Sequence, residues 1–322
     1  MEKKNWAKSI WGIISPMLIY IGIQIVVVMV IQAGYTAYWY MQGVSFHEIA
    51  FMISDALQGK ELMLTMISAL VTIPILGFLM KRDIDRQKAS NTLTKFRLSN
   101  KLLYLLIIPF AIFNMEWANM FVSVLQIFMP EFMLDSYSGT QSAIYESSVI
   151  LQIAAAGIVA PVVEELIFRG LIYKRIKEIS NIKTAAVLSA VIFGVFHGNW
   201  VQAPYAFFIG LAAVFVYEKY KSVMAPILLH ISANMASVGL SYIASKFQQV
   251  QGESIQQFSD WEIIRTISSS MLVFFVLAFV MGIIINSKVN PKEVENEIID
   301  SGNSMLSVSY THLRAHETAA NL

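Results

Sequence analysis

Eight stretches of this chain are too apolar to face water: roughly residues 10–31, 62–80, 102–124, 149–172, 184–198, 203–217, 223–244 and 267–286. A helix needs about 20 apolar residues to cross a bilayer core. Inside lipid, the backbone must satisfy its own N–H and C=O groups, which leaves only helices and closed barrels. These runs lack the strict alternation of barrel strands, so the sequence predicts an all-α fold, a polytopic membrane helix bundle of about eight transmembrane helices. The fifth and sixth runs are short, and Gly198-Asn199-Trp200 between them predicts a tight helical hairpin. Composition agrees: 56% of residues are hydrophobic and 14% charged, where a soluble domain carries about a quarter charged.

Basic residues orient the bundle. Lys3, Lys4 and Lys8 precede the first run, and seven Lys or Arg fall between Lys81 and Lys101. Lys174, Arg175, Lys177 and Lys183 separate the fourth and fifth runs, Lys219 and Lys221 follow the sixth, and Lys288 and Lys292 follow the eighth. The alternate loops hold few: Lys60, none between 129 and 148, then Lys246 and Arg265. Eight spans with both termini cytoplasmic satisfy this asymmetry at every loop. Tyr35, Tyr38, Trp39, Tyr40 and Trp261 sit in the basic-poor loops 32–61 and 245–266 and read as interfacial anchors. The segment 81–101 reads as a connector against anionic lipid headgroups.

The chain divides into four regions. Residues 1–144 hold the first three spans, 145–244 the spans that carry polar motifs, 245–290 an outer loop and the last span, and 291–322 a polar tail expected to be disordered. The last residues of that tail, 307–322, resemble nothing before them and read as disordered or non-native; His312 and His316 there have no flanking metal ligand. A net charge of +1 gives no footprint for nucleic acid, and the absence of cysteine excludes disulfides and thiolate chemistry. The apolar run from Ser9 to Ile31 is too long for the core of a cleavable signal peptide.

Charged groups at membrane depth are costly and mark function by default. The run from Val149 to Tyr173 contains Glu164, Glu165 and Arg169. In a helix, Glu165 and Arg169 are four apart and pair on one face. Glu164 is rotated about 100° away and keeps no such partner. His197 ends the fifth span four residues after Phe193, and His230 and Asn234 lie four apart on one face of the seventh. Counting about 1.5 Å of rise per residue from the nearest cytoplasmic Lys puts Glu164, His197 and His230 about 15, 21 and 14 Å deep. Three spans of alternating sense therefore bring these groups to one slab, as a single buried site requires.

This set is equipped for amide hydrolysis without a Ser or Cys nucleophile. A carboxylate beside a neutral imidazole is a general base for water, and Asn234 and His230 are hydrogen-bond donors for an oxyanion. Glu164, His197 and His230 are alternatively a three-ligand zinc set with one position open for water. The spacing is not HExxH, and Asn234 suits an oxyanion better than zinc, so the metal-free form is favoured and no cofactor is expected. A proton relay or transporter would use the same residues, but transporters carry internal repeats and none is visible.

Three ordered motifs carry a resemblance: Glu164-Glu165-Leu166-Ile167-Phe168-Arg169 (EExxxR), Phe193-Gly194-Val195-Phe196-His197 (FxxxH) and His230-Ile231-Ser232-Ala233-Asn234 (HxxxN). Over about residues 145–240 the chain resembles the CPBP intramembrane proteases, which include CAAX-prenyl-protease-like enzymes and bacteriocin-processing or self-immunity proteins. The resemblance implies an endopeptidase of a bacterial cell membrane whose site opens toward the cytoplasm. It implies Glu164 and His197 activating water, His230 and Asn234 stabilising the oxyanion, and Glu165, Arg169 and Phe193 in support. The implied partners are membrane lipid and a peptide or lipidated protein. The other expectation is a non-enzymatic immunity factor or scaffold that keeps the motif residues for packing. Glu116, with Asn114 and Asn119 nearby, is expected to have a structural partner, and Gly157, Gly170, Gly194 and Gly210 are expected at close helix contacts.

Overall fold

The computed structural model describes residues 6–251 and 260–294, and they are almost wholly helical. In chain order the helices are α1 (Trp6–Met41), α2 (Phe46–Leu57), α3 (Glu61–Ala89), α4 (Ile107–Gln126, entered through a 3₁₀ turn at Lys101–Leu106) and α5 (Glu131–Tyr145). There follow α6 (Val149–Ile179), α7 (Ile182–Phe196), α8 (Gln202–Tyr220), α9 (Met224–Gln251) and α10 (Asp260–Lys288). All eight apolar runs lie on helices. Six of these helices are long and apolar enough to cross a bilayer, which makes the chain a multi-pass membrane protein. α7 has 15 residues, and at about 1.5 Å of rise each it falls short of a hydrocarbon core about 30 Å thick. It reverses at Gly198, whose φ of 62° suits a residue without Cβ, and packs against α8 as the expected hairpin.

Two apolar clusters flank the motif-bearing helices. One joins α1, α3, α6 and α7 through Tyr20, Leu76, Ile167, Phe168, Leu171 and Phe193. The other joins α4, α8, α9 and α10 through Ile107, Met115, Ile209, Val216, Leu229 and Ile285. The outward faces of α1 and α10 carry exposed Ile25, Val26, Val30, Leu272, Phe275 and Phe279, as lipid-facing helices do. The four glycines sit where helices touch. A Cβ on Gly194 would lie 2.7 Å from the Ala203 carbonyl oxygen, on Gly210 3.1 Å from the Ala190 Cβ, on Gly157 2.7 Å from the Met235 sulfur and on Gly170 3.1 Å from the Met80 sulfur.

The end of the bundle that carries the basic loops is tied together by charge. Arg175 donates through Nε to Asp83 at 2.8 Å and through Nη1 to the Gly12 carbonyl, joining α6, α3 and α1. Glu218 accepts from Lys177 and Lys221, each at 2.6 Å, and from the Tyr173 hydroxyl at 2.8 Å. Arg86 reaches Glu178 at 2.8 Å. Basic residues of these loops therefore hold helix ends together.

Three segments carry structure that the sequence reading did not assign. The basic-poor loop between the third and fourth spans contains α5, a full helix. The connector 81–101 is helical to Ala89 and then forms a strand, β1 (Lys95–Arg97). The tail assigned to 291–322 begins with a second strand, β2 (Lys292–Val294), antiparallel to β1 in the register Lys95 to Val294 and Arg97 to Lys292. Charge in this stretch hid a ladder whose bonds are made by the backbone and do not need apolar side chains. The expectation for 307–322, with His312 and His316, lies outside the described residues, as does the side chain of Trp261. Tyr35 and Trp39 stack at 5.1 Å near the end of α1.

Candidate active site

α6 is not a uniform α-helix. Two π-helical segments, Gln152–Val159 and Leu166–Tyr173, bracket one α-helical stretch, Ala160–Glu165. Pro161 accounts for the first irregularity. It has no N–H, so the carbonyls four and five residues before it lose a donor. Ala160 N–H already bonds to Ala155 O, and the Ala156 carbonyl is left open to the bundle interior. Asn234 of α9 fills it, donating through Nδ2 at 2.8 Å. Helical segments of this kind are frequent at functional sites, and here one sets where Glu164 and Glu165 project.

Glu165 and Arg169 are both fully buried and paired at 2.8 Å, as their spacing predicts. Arg169 also donates to the Gly210 carbonyl at 3.1 Å, and its guanidinium carbon lies 4.4 Å from the centre of the Phe193 ring. Glu165 has a second partner: His230 Nδ1 lies 2.9 Å from the oxygen that receives Arg169. A carboxylate accepts, so Nδ1–H donates and Nε2 is the nitrogen turned away. Nε2 lies 3.9 Å from Glu164 Oε2.

His197 closes α7, and its Nδ1 lies 2.8 Å from the Phe193 carbonyl. A carbonyl accepts only, so this ring too carries its proton on Nδ1 and leaves an Nε2 lone pair. Phe193 meets both imidazoles edge to face, with centroids 4.8 Å from His197 and 5.8 Å from His230. Its place in FxxxH is thus physical: one ring supports Arg169 and both histidines.

Glu164, His197, His230 and Asn234 line one cavity of about 690 Å³. Three sequence-distant spans bring all four to the same space, as their common depth required. Tyr137, Tyr145 and Tyr205 also line it; no motif marks them, and only their positions in α5 and α8 identify them. Glu116 departs from expectation: its Oε1 is buried without a hydrogen-bond partner, and among the described residues it makes no ion pair. The lining of the cavity extends from the motif residues to Glu61 and Thr65 near the start of α3, Asn119 and Gln126 near the end of α4 and Ser241 of α9.

The donor chemistry of Glu164, His197 and His230 suits zinc, since both imidazoles present Nε2. Their arrangement does not: among the described residues no three His, Asp or Glu side chains converge closely enough to hold one ion.

Residues 146–236 match the family model described as Type II CAAX prenyl endopeptidase Rce1-like. That segment resembles the family. The Rce1-like segment contains all three motifs and every residue of the four-residue cluster. Putative membrane peptidase YdiL of Bacillus subtilis (strain 168) is 33% identical over 87 residues, which is 27% of this chain and 36% of that relative. The match thus spans about a third of the relative's length. No solved structure gives a significant match.

Proposed function

We propose that this chain is an intramembrane endopeptidase that hydrolyses a peptide bond with water activated by Glu164 and His197. The observation that carries the reading is the convergence of Glu164, His197, His230 and Asn234 on one cavity within an Rce1-like segment. Water bound between the Glu164 carboxylate and His197 Nε2 gives a proton to Glu164 as its oxygen attacks the carbonyl carbon. The oxyanion accepts from the second N–H of the Asn234 amide, the first being committed to Ala156. It also accepts from His230 Nε2–H when that ring is an imidazolium. Glu164, Glu165, Arg169 and His230 then sum to zero charge, which a dry interior favours. As the intermediate collapses, Glu164 returns the proton to the departing amine, so protons balance over the cycle.

The substrate is a peptide or membrane-associated protein, and no cofactor is required in this reading. The test compares wild type with Glu164→Gln on a fluorogenic peptide library, in detergent, with and without a strong chelator. The expected result is a loss of about 10²–10⁴-fold in kcat for the variant, an unchanged melting profile, and no effect of chelator. Inhibition by chelator with restoration by zinc would overturn the metal-free mechanism. Full function of Glu164→Gln in cells would overturn catalysis and favour a scaffold that keeps these residues for packing.

A further inference from the structure

We propose that the β1–β2 ribbon is a phosphate clasp: the phosphate of an anionic phospholipid headgroup seats between Arg97 and Lys292, with Lys95 beside them, and holds the two strands paired. None of these three residues lines the cavity of the motif residues, so the clasp is independent of the peptidase reading.

Each strand has three residues, and all six are exposed. A two-stranded pair this short is marginal in water. Its own charges work against it. Residues directly opposite in an antiparallel pair share a face, and every second residue along a strand returns to that face. The register sets Arg97 opposite Lys292 and Lys95 opposite Val294, so one face carries three cations and no carboxylate. Like charges placed directly opposite destabilise a pair. The other face holds Phe96 opposite Glu293, and Lys221 lies there, its Nζ 5.7 Å from the centre of the Phe96 ring. Lys221 is itself paired with Glu218 at 2.6 Å. The carboxylate of the ribbon is thus on the wrong face to relieve the repulsion. Among the described residues, Lys95, Arg97 and Lys292 make no ion pair.

A phosphate resolves this. Its oxygens accept from the Arg97 guanidinium as a fork and from the Lys292 ammonium as a point charge. One anion then turns a cross-strand repulsion into charge-assisted hydrogen bonds that bridge the strands. Lipid is the source at hand. β1 ends four residues before Lys101, where the chain enters α4, and β2 begins four residues after Lys288, where α10 ends. Four residues reach at most about 14 Å, so the ribbon stays near the surface from which both helices emerge. Basic residues in that position attract anionic headgroups. Lys95 also lines a cavity of about 210 Å³ with Lys88, Asn91 and Leu93. That hollow gives the rest of a headgroup a polar seat beside its phosphate. Lys88 is already paired with Asp85 at 3.5 Å, which leaves Lys95 as the cation shared by hollow and clasp.

The chain contains no cysteine, so Phe96→Cys with Glu293→Cys introduces its only thiols. The two positions are directly opposed on the face away from the three cations, and their cross-linking under a mild oxidant reads strand pairing. The full chain with this pair is reconstituted into vesicles of phosphatidylcholine alone, or of phosphatidylcholine and phosphatidylglycerol in equal parts. Cross-linking should run severalfold faster in the mixed vesicles, and inorganic phosphate added to phosphatidylcholine vesicles should not reproduce the gain. Equal rates in the two vesicles overturn the clasp. A gain from inorganic phosphate as large as that from phosphatidylglycerol overturns the lipid source. Adding Lys292→Glu sets unlike charges across the strands, so cross-linking should become fast in both vesicles. Adding Arg97→Gln instead removes one side of the seat and should shrink the ratio between the two vesicles. A ratio unchanged by both substitutions overturns the seat between Arg97 and Lys292.

Discussion

Asn234 donates to the Ala156 carbonyl at 2.8 Å because Pro161 cannot. The two residues belong to different helices, and the pairing links a motif side chain to a backbone irregularity. Asn234→Leu should leave the carbonyl buried and unpaired, a cost of about 1–3 kcal/mol, and should also lower kcat. Pro161→Ala supplies a backbone N–H to the same region of α6. The double variant is therefore expected to regain most of the lost stability without regaining cleavage. Thermal melts and kcat on all four proteins of the cycle separate the two roles of Asn234, and parallel recovery of both would show that its contribution is structural alone.

The Glu165–Arg169 pair is fully enclosed. Removing either partner by alanine strands a buried charge and should cost about 3–5 kcal/mol. Replacing both, as Glu165→Leu with Arg169→Met, should cost less than either single change, because nothing ionic is left behind. Cleavage should still fail in the double variant, since His230 loses the carboxylate that fixes its ring. Melting temperatures that fall additively would count against this account.

Gly194 and Gly157 are both in tight contacts, but with different neighbours. Gly194→Ala presses a methyl against the Ala203 backbone oxygen, which must move with the whole α7–α8 hairpin. Gly157→Ala presses against the Met235 sulfur, the end of a flexible side chain. Overpacking costs about 1–3 kcal/mol where the neighbour cannot yield. The expected order is a clear loss of stability and activity for Gly194→Ala, and a small one for Gly157→Ala, read by melting and by kcat.

Phe193 supports three site groups at once. Phe193→Leu keeps an apolar side chain but removes the ring under Arg169 and beside both histidines. The lost cation–π contact alone is worth about 0.5–2 kcal/mol. The variant should fold, bind peptide with little change in KM and turn over more slowly. A change confined to KM would place Phe193 in substrate contact instead.

The helices and the cluster were legible because lipid imposes a simple grammar. Apolar length marks a span, and a charge inside one marks a purpose, so Glu164, Glu165, Arg169, His197, His230 and Asn234 stand out from their surroundings. What stayed hidden obeys other rules. α5 is polar enough to read as loop, because a helix that does not cross the bilayer core needs no apolar run. The β1–β2 pair is made by backbone bonds between segments rich in Lys and Glu. The π segments of α6 break the 3.6-residue repeat on which helical projection depends, and Pro161 hints at one of them only once Asn234 is seen to fill the gap. Depth along a helix says how far a group lies from an edge, so it brought the motif residues to one level without saying which other side chains share their cavity.

The β1–β2 ladder has a consequence for α10. That helix shows much of its surface to lipid and packs chiefly along α4. Its far end continues into β2, and β2 is hydrogen-bonded to the strand that follows α3. The chain from Lys95 to Val294 is thereby fastened at both ends outside the bilayer, like a belt with a buckle. Should α10 drift from α4, the buckle keeps it within reach at a high effective concentration, so rejoining is an intramolecular event. A peripheral helix held in this way can loosen and reseat without leaving, and the membrane-embedded helices it covers stay assembled while it does.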